Sequence, residues 1–248
     1  MTWFEALFVF LAGMGAGTIN AVVGSGTLLT FPALLAVGIP PVLANVSNTI
    51  GLSPGTAAGA IGYRRELAGQ RGRMIRLIPA SLIGGVVGGV LLLKLPDSAF
   101  KAIVPGLILL GCLLVALQPW LSKWISVPEH THRGAWWVMP AVFATGVYGG
   151  YFGAAQGVLL MAILGLGLDP NLQRMNALKN VLATVVNTVA AILFIFVANV
   201  DWLAAGLIAA GSTIGGFVGA RYGRKLPPIA LRGLIVMIGI VAIVTMVF

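Results

Sequence analysis

The stretch Ser81-Leu-Ile-Gly-Gly-Val-Val-Gly88 returns 131 residues later as Ser212-Thr-Ile-Gly-Gly-Phe-Val-Gly219. The same offset relates four further places: Lys94-Leu-Pro with Lys225-Leu-Pro, Lys101 with Arg232, Gly26 with Gly157, and Gly15 with Gly146. Glycine-rich apolar helices resemble one another by chance, but chance does not produce one constant offset at five places. The sequence therefore predicts two copies of one unit.

Composition excludes a soluble globular protein. Of the 248 residues, 59% are hydrophobic and 8% are charged, and the mean hydropathy is +1.03. Soluble domains are roughly 45–50% apolar and about 25% charged. Because a membrane-spanning helix takes about 20 residues, the length predicts roughly eight to ten hydrophobic segments and no additional soluble domain. We expect an all-α polytopic protein that lies in a lipid bilayer.

Apolar runs between glycine, proline and charged residues divide the chain into ten segments, five in each copy. Their approximate bounds are 4–23, 27–37, 41–62, 75–93, 100–120, 135–152, 157–166, 172–197, 202–220 and 229–248. The second and seventh are too short to cross a bilayer, since a helix rises about 1.5 Å per residue. Apolar runs of this length are typical of re-entrant or broken helices. We expect a first repeat at 1–120, a cytoplasmic linker at 121–134 and a second repeat at 135–248.

The basic residues predict how the two copies are oriented. The loop after the third segment carries Arg64, Arg65, Arg71, Arg73 and Arg76, whereas the equivalent loop of the second copy is Ala198-Asn-Val-Asp201. Basic residues collect in cytoplasmic loops, so these two loops should lie on opposite faces. This predicts an inverted repeat with both termini outside. The alternative, eight plain spans in two parallel halves, would separate the arginine-rich loop from the basic group at 221–225. The net charge of +9 then reports topology, and no nucleic-acid partner is expected.

Each short segment follows a break that contains glycine. The breaks are Asn20-Ala-Val-Val-Gly-Ser-Gly-Thr27 in the first copy and Tyr151-Phe-Gly-Ala-Ala-Gln-Gly157 in the second. A helix that begins after such a break presents unpaired N–H groups and about half a positive charge. Glycine also lets a ligand approach the backbone closely. The breaks therefore predict an anion site inside the membrane, although tight turns and close packing would use the same glycines.

A polar stripe follows each break. In the segment 172–197, Asn176, Asn180 and Asn187 fall within about 40° of one another, and Lys179 lies roughly 60° from Asn176. The matching segment carries Asn45, Asn48 and Thr49, and one inserted residue aligns Ser47-Asn48 with Lys179-Asn180. Polar side chains at membrane depth usually face a bundle interior or a cavity. Hydrogen bonding between helices is the structural alternative to ligand binding.

Together these patterns predict a site for a small anion, because donors and a cation are present and no Asp or Glu lies in a segment core. The predicted substrate-binding residues are Gly24, Ser25, Gly26, Thr27, Asn45, Asn48, Gln156, Gly157, Asn176, Lys179, Asn180 and Asn187. His130 and His132 lie between the copies without enough partners for a metal site, so no metal or other cofactor is expected. An enzyme with Ser25 as nucleophile would need a neighbouring base, and only Lys179 is available. We therefore expect no catalytic residues.

These residues resemble the TauE/SafE family of sulfite and organosulfur anion exporters. The resemblance rests on Gly24-Ser-Gly-Thr-Leu-Leu-Thr-Phe-Pro32, on Ala44-Asn-Val-Ser-Asn48, on the second break and on Asn176-Ala-Leu-Lys-Asn180. It extends over essentially the whole chain and implies export of sulfite, thiosulfate or a sulfonate across the cytoplasmic membrane. Inverted repeats with paired broken segments are typical of secondary transporters, so alternating access is the expected mechanism.

Two other functions stay open at this stage. One is a carrier or channel for another small anion or metabolite, and the other is a non-transporting membrane scaffold. The sequence also leaves open whether the chain forms a homo-oligomer.

Overall fold

The computed structural model describes residues 1–123, 135–168, 171–223 and 228–247. Within these ranges the chain forms ten α-helices, a 3₁₀ turn at Arg64–Leu67 and no β-strand. The helices of the first copy are α1 Trp3–Val22, α2 Thr27–Ala36, α3 Pro41–Gly62, α4 Arg71–Lys94 and α5 Asp97–Lys123. Those of the second copy are α6 Val138–Tyr151, α7 Gln156–Gly167, α8 Leu172–Val197, α9 Trp202–Tyr222 and α10 Pro228–Val247.

The predicted all-α polytopic membrane fold is confirmed. Every predicted segment is a helix, and α2 and α7 are short, with 10 and 12 residues. Five helices in the described ranges are long and apolar enough to cross a membrane: α1, α4, the Asp97–Leu117 part of α5, α8 and α9. α5 continues through Lys123, so the first part of the predicted linker is helical. The rest of that linker, 124–134 with both histidines, lies outside the described residues, as does Lys225.

Local sequence explains where several helices begin. The Thr2 hydroxyl accepts the Glu5 N–H (3.3 Å) while the Glu5 carboxylate accepts the Thr2 N–H (2.7 Å), a capping box at the start of α1. The Asn171 and Asp201 side chains cap α8 and α9 in the usual way for these residue types. α3 begins at Pro41, where a proline loses no helical hydrogen bond.

The first helix of each copy packs against the fourth helix of the other. α1 lies on α9, and α6 lies on α4. On α9, Gly211, Gly215 and Gly219 lie one turn apart and face the α1 backbone so closely that a Cβ would clash. Gly84 and Gly88 of α4 face the α6 backbone in the same manner. These small-residue stripes therefore set close helix contacts between the copies.

Other large contacts between the copies are also reciprocal. α3 packs on α9 and α8 on α4, while α3 contacts α8 and α5 contacts α10. This exchange of equivalent helices agrees with a chain built from two copies. The inverted orientation of the copies stays a prediction.

The two breaks correspond with a different offset from the one read from the sequence. The N–H groups of Val23 and Gly24 both donate to the Ile19 carbonyl, and those of Phe152 and Gly153 both donate to the Tyr148 carbonyl. Gly24 and Gly153 also share a left-handed backbone, with φ of 91° and 72°. The breaks are therefore 129 residues apart, and the pairings of Gly26 with Gly157 and of Gly15 with Gly146 are both shifted by two. The offset returns to 131 after α7, because α7 is two residues longer than α2.

We predict that the glycine contact between α1 and α9 is a determinant of stability. A Cβ at Gly215 would collide with the Met14 carbonyl oxygen, so Gly215→Ala should lower the free energy of unfolding by about 1–3 kcal/mol. Gly206 lies on the same helix with no atom within 4 Å of an added Cβ. Gly206→Ala should therefore be neutral or stabilising by up to about 1 kcal/mol. Thermal unfolding in detergent measures both, and a larger loss at Gly206 would contradict the packing described.

Candidate functional site

The two breaks touch each other through their backbones. The Gly157 N–H donates to the Gly24 carbonyl at 2.9 Å. A Cβ on either glycine would collide with the Cα of the other. The tips of the α1–α2 and α6–α7 hairpins therefore meet at a contact that only glycine permits on both sides.

A small cavity of about 20 Å³ lies beside this contact. Its wall consists of Asn20, Gly24, Thr27, Thr56, Gly153, Gln156, Gly157, Lys179, Asn180, Ala183 and Asn187. Such a volume holds about one water molecule. Seven of the predicted binding residues lie in this wall: Gly24, Thr27, Gln156, Gly157, Lys179, Asn180 and Asn187. The structure thus brings both breaks and the α8 stripe to one place.

Lys179 lines this cavity and is fully buried. Its Nζ donates to the Asn20 carbonyl at 2.9 Å and to the Ala21 carbonyl at 3.4 Å. These carbonyls belong to the last turn of α1, where the helix dipole is negative. An ammonium group has three N–H donors, and the two carbonyls account for two of them. The carboxyl end of α1 thus takes the place that a carboxylate would have as the partner of the Lys179 side chain.

The Ala21 carbonyl receives donors from three α8 side chains. Asn176 Nδ2 lies 3.0 Å from it, Asn180 Nδ2 3.3 Å and Lys179 Nζ 3.4 Å. A carbonyl oxygen has two lone pairs, so three donors compete for it. Asn180 and Lys179 also line the cavity. Asn176 bonds the same carbonyl from outside the cavity wall.

Gln156 supplies a further donor at the first residue of α7. Its side chain is buried, and its Nε2 makes no hydrogen bond with any described residue. An unsatisfied buried amide N–H is costly, typically about 1–3 kcal/mol. An acceptor in the cavity would remove that cost.

The other five predicted residues lie outside the cavity wall. Asn45 Nδ2 donates to the Tyr151 carbonyl at 2.9 Å, much as Asn176 bonds Ala21. Asn45 and Asn176 thus correspond at an offset of 131, without the inserted residue. Asn48 bonds the hydroxyls of Thr27 and Thr30. These three asparagines hold the hairpins to α3 and α8.

Ser25 and Gly26 are also buried within the first break. The Ser25 hydroxyl has no hydrogen-bond partner among the described residues. The Gly26 N–H donates to Asn20 Oδ1 at 2.7 Å, so it is already satisfied and does not face the cavity. The role of Ser25 and Gly26 in substrate binding stays a prediction.

Four residues of the cavity wall were not among the predicted binding residues: Asn20, Thr56, Gly153 and Ala183. Asn20 is the most informative, because its side chain caps the break while its carbonyl binds Lys179. A polar residue in the last turn before a glycine break was the available signal. The described residues contain no group of three His, Cys, Asp or Glu side chains that could hold a metal ion.

Paired short helices that meet at a polar cavity within an all-helical membrane protein define the class of polytopic membrane transporters. The chain belongs to the TauE/SafE sulfite exporter family, whose pattern it matches over residues 9–246.

Curated relatives carry names of the same class. A probable membrane transporter protein, ORF9, of Sinorhizobium sp. is 28% identical over 94% of this chain and 88% of its own length. The probable membrane transporter protein YfcA of Escherichia coli K12 is 28% identical over 88% of this chain and 79% of its own. A probable membrane transporter protein of Haemophilus influenzae is 24% identical over 97% and 93%. No solved structure matches the chain.

We predict that Gly24 cannot be replaced without separating the hairpin tips. Gly38 also has a left-handed backbone, but no atom lies within 4 Å of an added Cβ there. Gly38→Ala should therefore cost only the backbone strain, about 1–2 kcal/mol. Gly24→Ala adds the collision with Gly157 and should lower the free energy of unfolding further. Equal losses for the two variants, measured by thermal unfolding, would mean that the hairpin contact is not tight.

Proposed function

We propose that this membrane transporter carries a small sulfur oxyanion, such as sulfite, thiosulfate or a sulfonate, across the cytoplasmic membrane by alternating access. The observation that carries the proposal is Lys179, a fully buried cation that faces the cavity where the two hairpins meet. The family description, which names sulfite, supports the substrate class.

The charge of Lys179 favours an anion over a neutral solute. A buried ammonium is costly unless it is compensated. The α1 carboxyl end provides roughly half a negative charge, which compensates it only in part. The cavity wall contains no carboxylate. A bound anion would complete the compensation, so the site attracts a negative group more strongly than a neutral one.

The hydrogen-bonding groups around Lys179 suit a compact oxyanion. Gln156 and Asn180 offer amide N–H groups, and Thr27 offers a hydroxyl. Thr27 and Gln156 are also the first residues of α2 and α7, whose positive ends favour anions. Several donors converging from two hairpins can surround the oxygens of a sulfur oxyanion.

The small size of the cavity supports a transport cycle. A space for about one water molecule is too small for a sulfur oxyanion, so the hairpins must separate for the anion to enter. The helix pairs between the copies are the elements that would rock against each other. We place the arginine-rich face in the cytoplasm and both termini outside, following the distribution of basic residues.

The same geometry supports a transporter rather than an enzyme. A serine nucleophile needs an adjacent base. The buried Ser25 hydroxyl makes no hydrogen bond with any described residue, and its side chain is not part of the cavity wall.

We expect proteoliposomes containing this chain to show saturable counterflow of at least one of labelled sulfite, thiosulfate or a sulfonate. Lys179→Gln and Asn180→Ala should each lower the initial rate by about ten-fold or more, the effect of losing one hydrogen bond to a charged group. Lys94→Gln is the matched control, because Lys94 is exposed at the end of α4 and lies outside the cavity wall. Unchanged rates in both site variants, with folded protein, would indicate a different site.

Alternating access predicts that substrate changes the exposure of the two hairpin tips. Thr27→Cys and Gln156→Cys, each in a Cys112→Ala background, would be labelled with a membrane-impermeant maleimide with and without thiosulfate. Thr2→Cys is the control, since Thr2 is exposed at the start of α1 and should label equally in both conditions, from outside. Labelling of both tips that ignores substrate would contradict the rocking mechanism.

A further inference from the structure

A groove lies where α3 and α9 end together, on the face that carries the arginine-rich loop between α3 and α4. It has a volume of about 420 Å³ and shares no residue with the central cavity. Arg64 and Arg65 line it from the turn after α3, and Phe217 and Arg221 line it from α9. We call it the α3–α9 groove.

The floor of the groove is a tight helix contact. Gly62 and Ala220 both line the groove, and a Cβ on Gly62 would collide with the Cβ of Ala220. The ends of α3 and α9 are therefore held together, and the basic side chains from the two copies are brought to one place.

The charge of the groove is positive. Arg64, Arg65 and Arg221 are all exposed. Glu66 is the one carboxylate among the described residues that line the groove, and it offsets at most one of the three charges. In the described part of the chain, no hydrogen bond or ion pair engages these three guanidinium groups. Arg221 Cζ lies over the Tyr222 ring, 5.6 Å from its centre, which leaves the N–H groups at the edge of the guanidinium available.

An exposed apolar face of α9 leads away from the groove. Exposed residues recur along it every three or four positions, at Leu203, Gly206, Ala210, Ile214 and Phe217, and the same row ends at Arg221. This spacing places them on one side of the helix. The row is about 27 Å long, since a helix rises about 1.5 Å per residue. That length is close to the thickness of the hydrocarbon core, about 30 Å, so this face of α9 meets lipid over most of the depth of the bilayer.

Aromatic residues mark both ends of α9. Trp202 and Tyr222, its first and last residues, are both exposed. Trp and Tyr favour the interface between membrane and water, and α9 is long and apolar enough to cross a membrane. We therefore expect Arg221, and with it the α3–α9 groove, to lie at the level of the lipid headgroups.

We propose that the α3–α9 groove binds the phosphate of an anionic phospholipid, with one acyl chain along the exposed face of α9. A guanidinium presents a planar fork of N–H donors that matches two phosphate oxygens. The excess positive charge favours a lipid with a net negative charge over a zwitterionic one. A free phosphate ion would meet the same arginines but would gain nothing from the apolar face. The central cavity takes no part in this site, so the proposal holds whatever solute the protein carries.

Native mass spectrometry of the full-length protein in detergent tests this site, with phosphatidylglycerol and phosphatidylcholine as the titrated lipids. We expect phosphatidylglycerol to bind more tightly. Arg65→Gln and Arg221→Gln should each weaken its binding about five-fold, the usual effect of one basic residue near a lipid surface, and the double variant should weaken it about 25-fold. Equal affinity of the wild-type protein for the two lipids would overturn the proposal.

Arg71→Gln is the matched control for Arg221→Gln. Arg71 is exposed in the first turn of α4 but does not line the α3–α9 groove, so its loss should leave the affinity for phosphatidylglycerol unchanged. Equal weakening by the two variants would mean that the lipid responds to overall charge alone, which would also overturn the proposal.

Glycerol phosphate separates a lipid from a free anion, because it carries a phosphate without acyl chains. We expect it to bind far more weakly than phosphatidylglycerol, and binding as tight as that of the lipid would overturn the proposed occupant. Ile214→Gln places a polar group on the apolar face without changing an arginine. This variant should weaken phosphatidylglycerol binding, whereas unchanged binding would contradict the placement of the acyl chain.

Discussion

The backbone contact between Gly24 and Gly157 is the constraint on which the rest of this structure depends. A break in a membrane helix leaves carbonyl and N–H groups without helical partners, and hydrocarbon provides none. Here the two breaks satisfy part of this need with each other, through the Gly157 N–H and the Gly24 carbonyl. Neither position can hold a Cβ, so the backbones of the α1–α2 and α6–α7 hairpins come into direct contact at their tips. The cavity exists because these tips meet there.

The side chains of α3 and α8 donate hydrogen bonds to backbone carbonyl groups that the breaks leave without helical partners. Asn45 bonds the end of α6, and Asn176 bonds the end of α1, so each copy supports the hairpin of the other. Lys179 adds a positive charge at the end of α1 only. In the first copy the 131-residue offset places Asn48 at the equivalent position, where it bonds two threonines instead. The two halves of the site are therefore alike in shape but differ in their side chains, and in the proposed function the second copy would provide the cation that holds the anion.

The sequence predicts the helices well, because their apolar runs end at glycine, proline and charged residues that also end helices physically. It also predicts that Lys179, Asn180 and Asn187 share a face. The sequence does not show that Asn180 lines the cavity while Asn176 does not, because both lie on the same stripe. The difference depends on where each amide lies relative to the Ala21 carbonyl. Asn20 was missed for a related reason. Its role comes from the turn of the chain at Gly24, and no periodicity in the sequence reports that turn. The two-residue shift between the breaks follows from the extra length of α7. A single offset of 131 for the whole chain does not show this difference in length.

The contacts between the copies are of two types, glycine against backbone in one region and side-chain hydrogen bonds in another. At the hairpin tips and along α1 and α9, glycine meets backbone without side chains between them, so these surfaces are smooth and close. At the arginine-rich face, the contacts are individual hydrogen bonds from Gln70, Arg73 and Arg174 to carbonyl oxygens of the other copy. Smooth glycine surfaces permit helices to slide without unpacking large side chains, whereas separate hydrogen bonds break and re-form one at a time. In the proposed transport cycle, a motion that widens the central cavity would therefore have to break the hydrogen bonds of the arginine-rich face, while the glycine surfaces could slide.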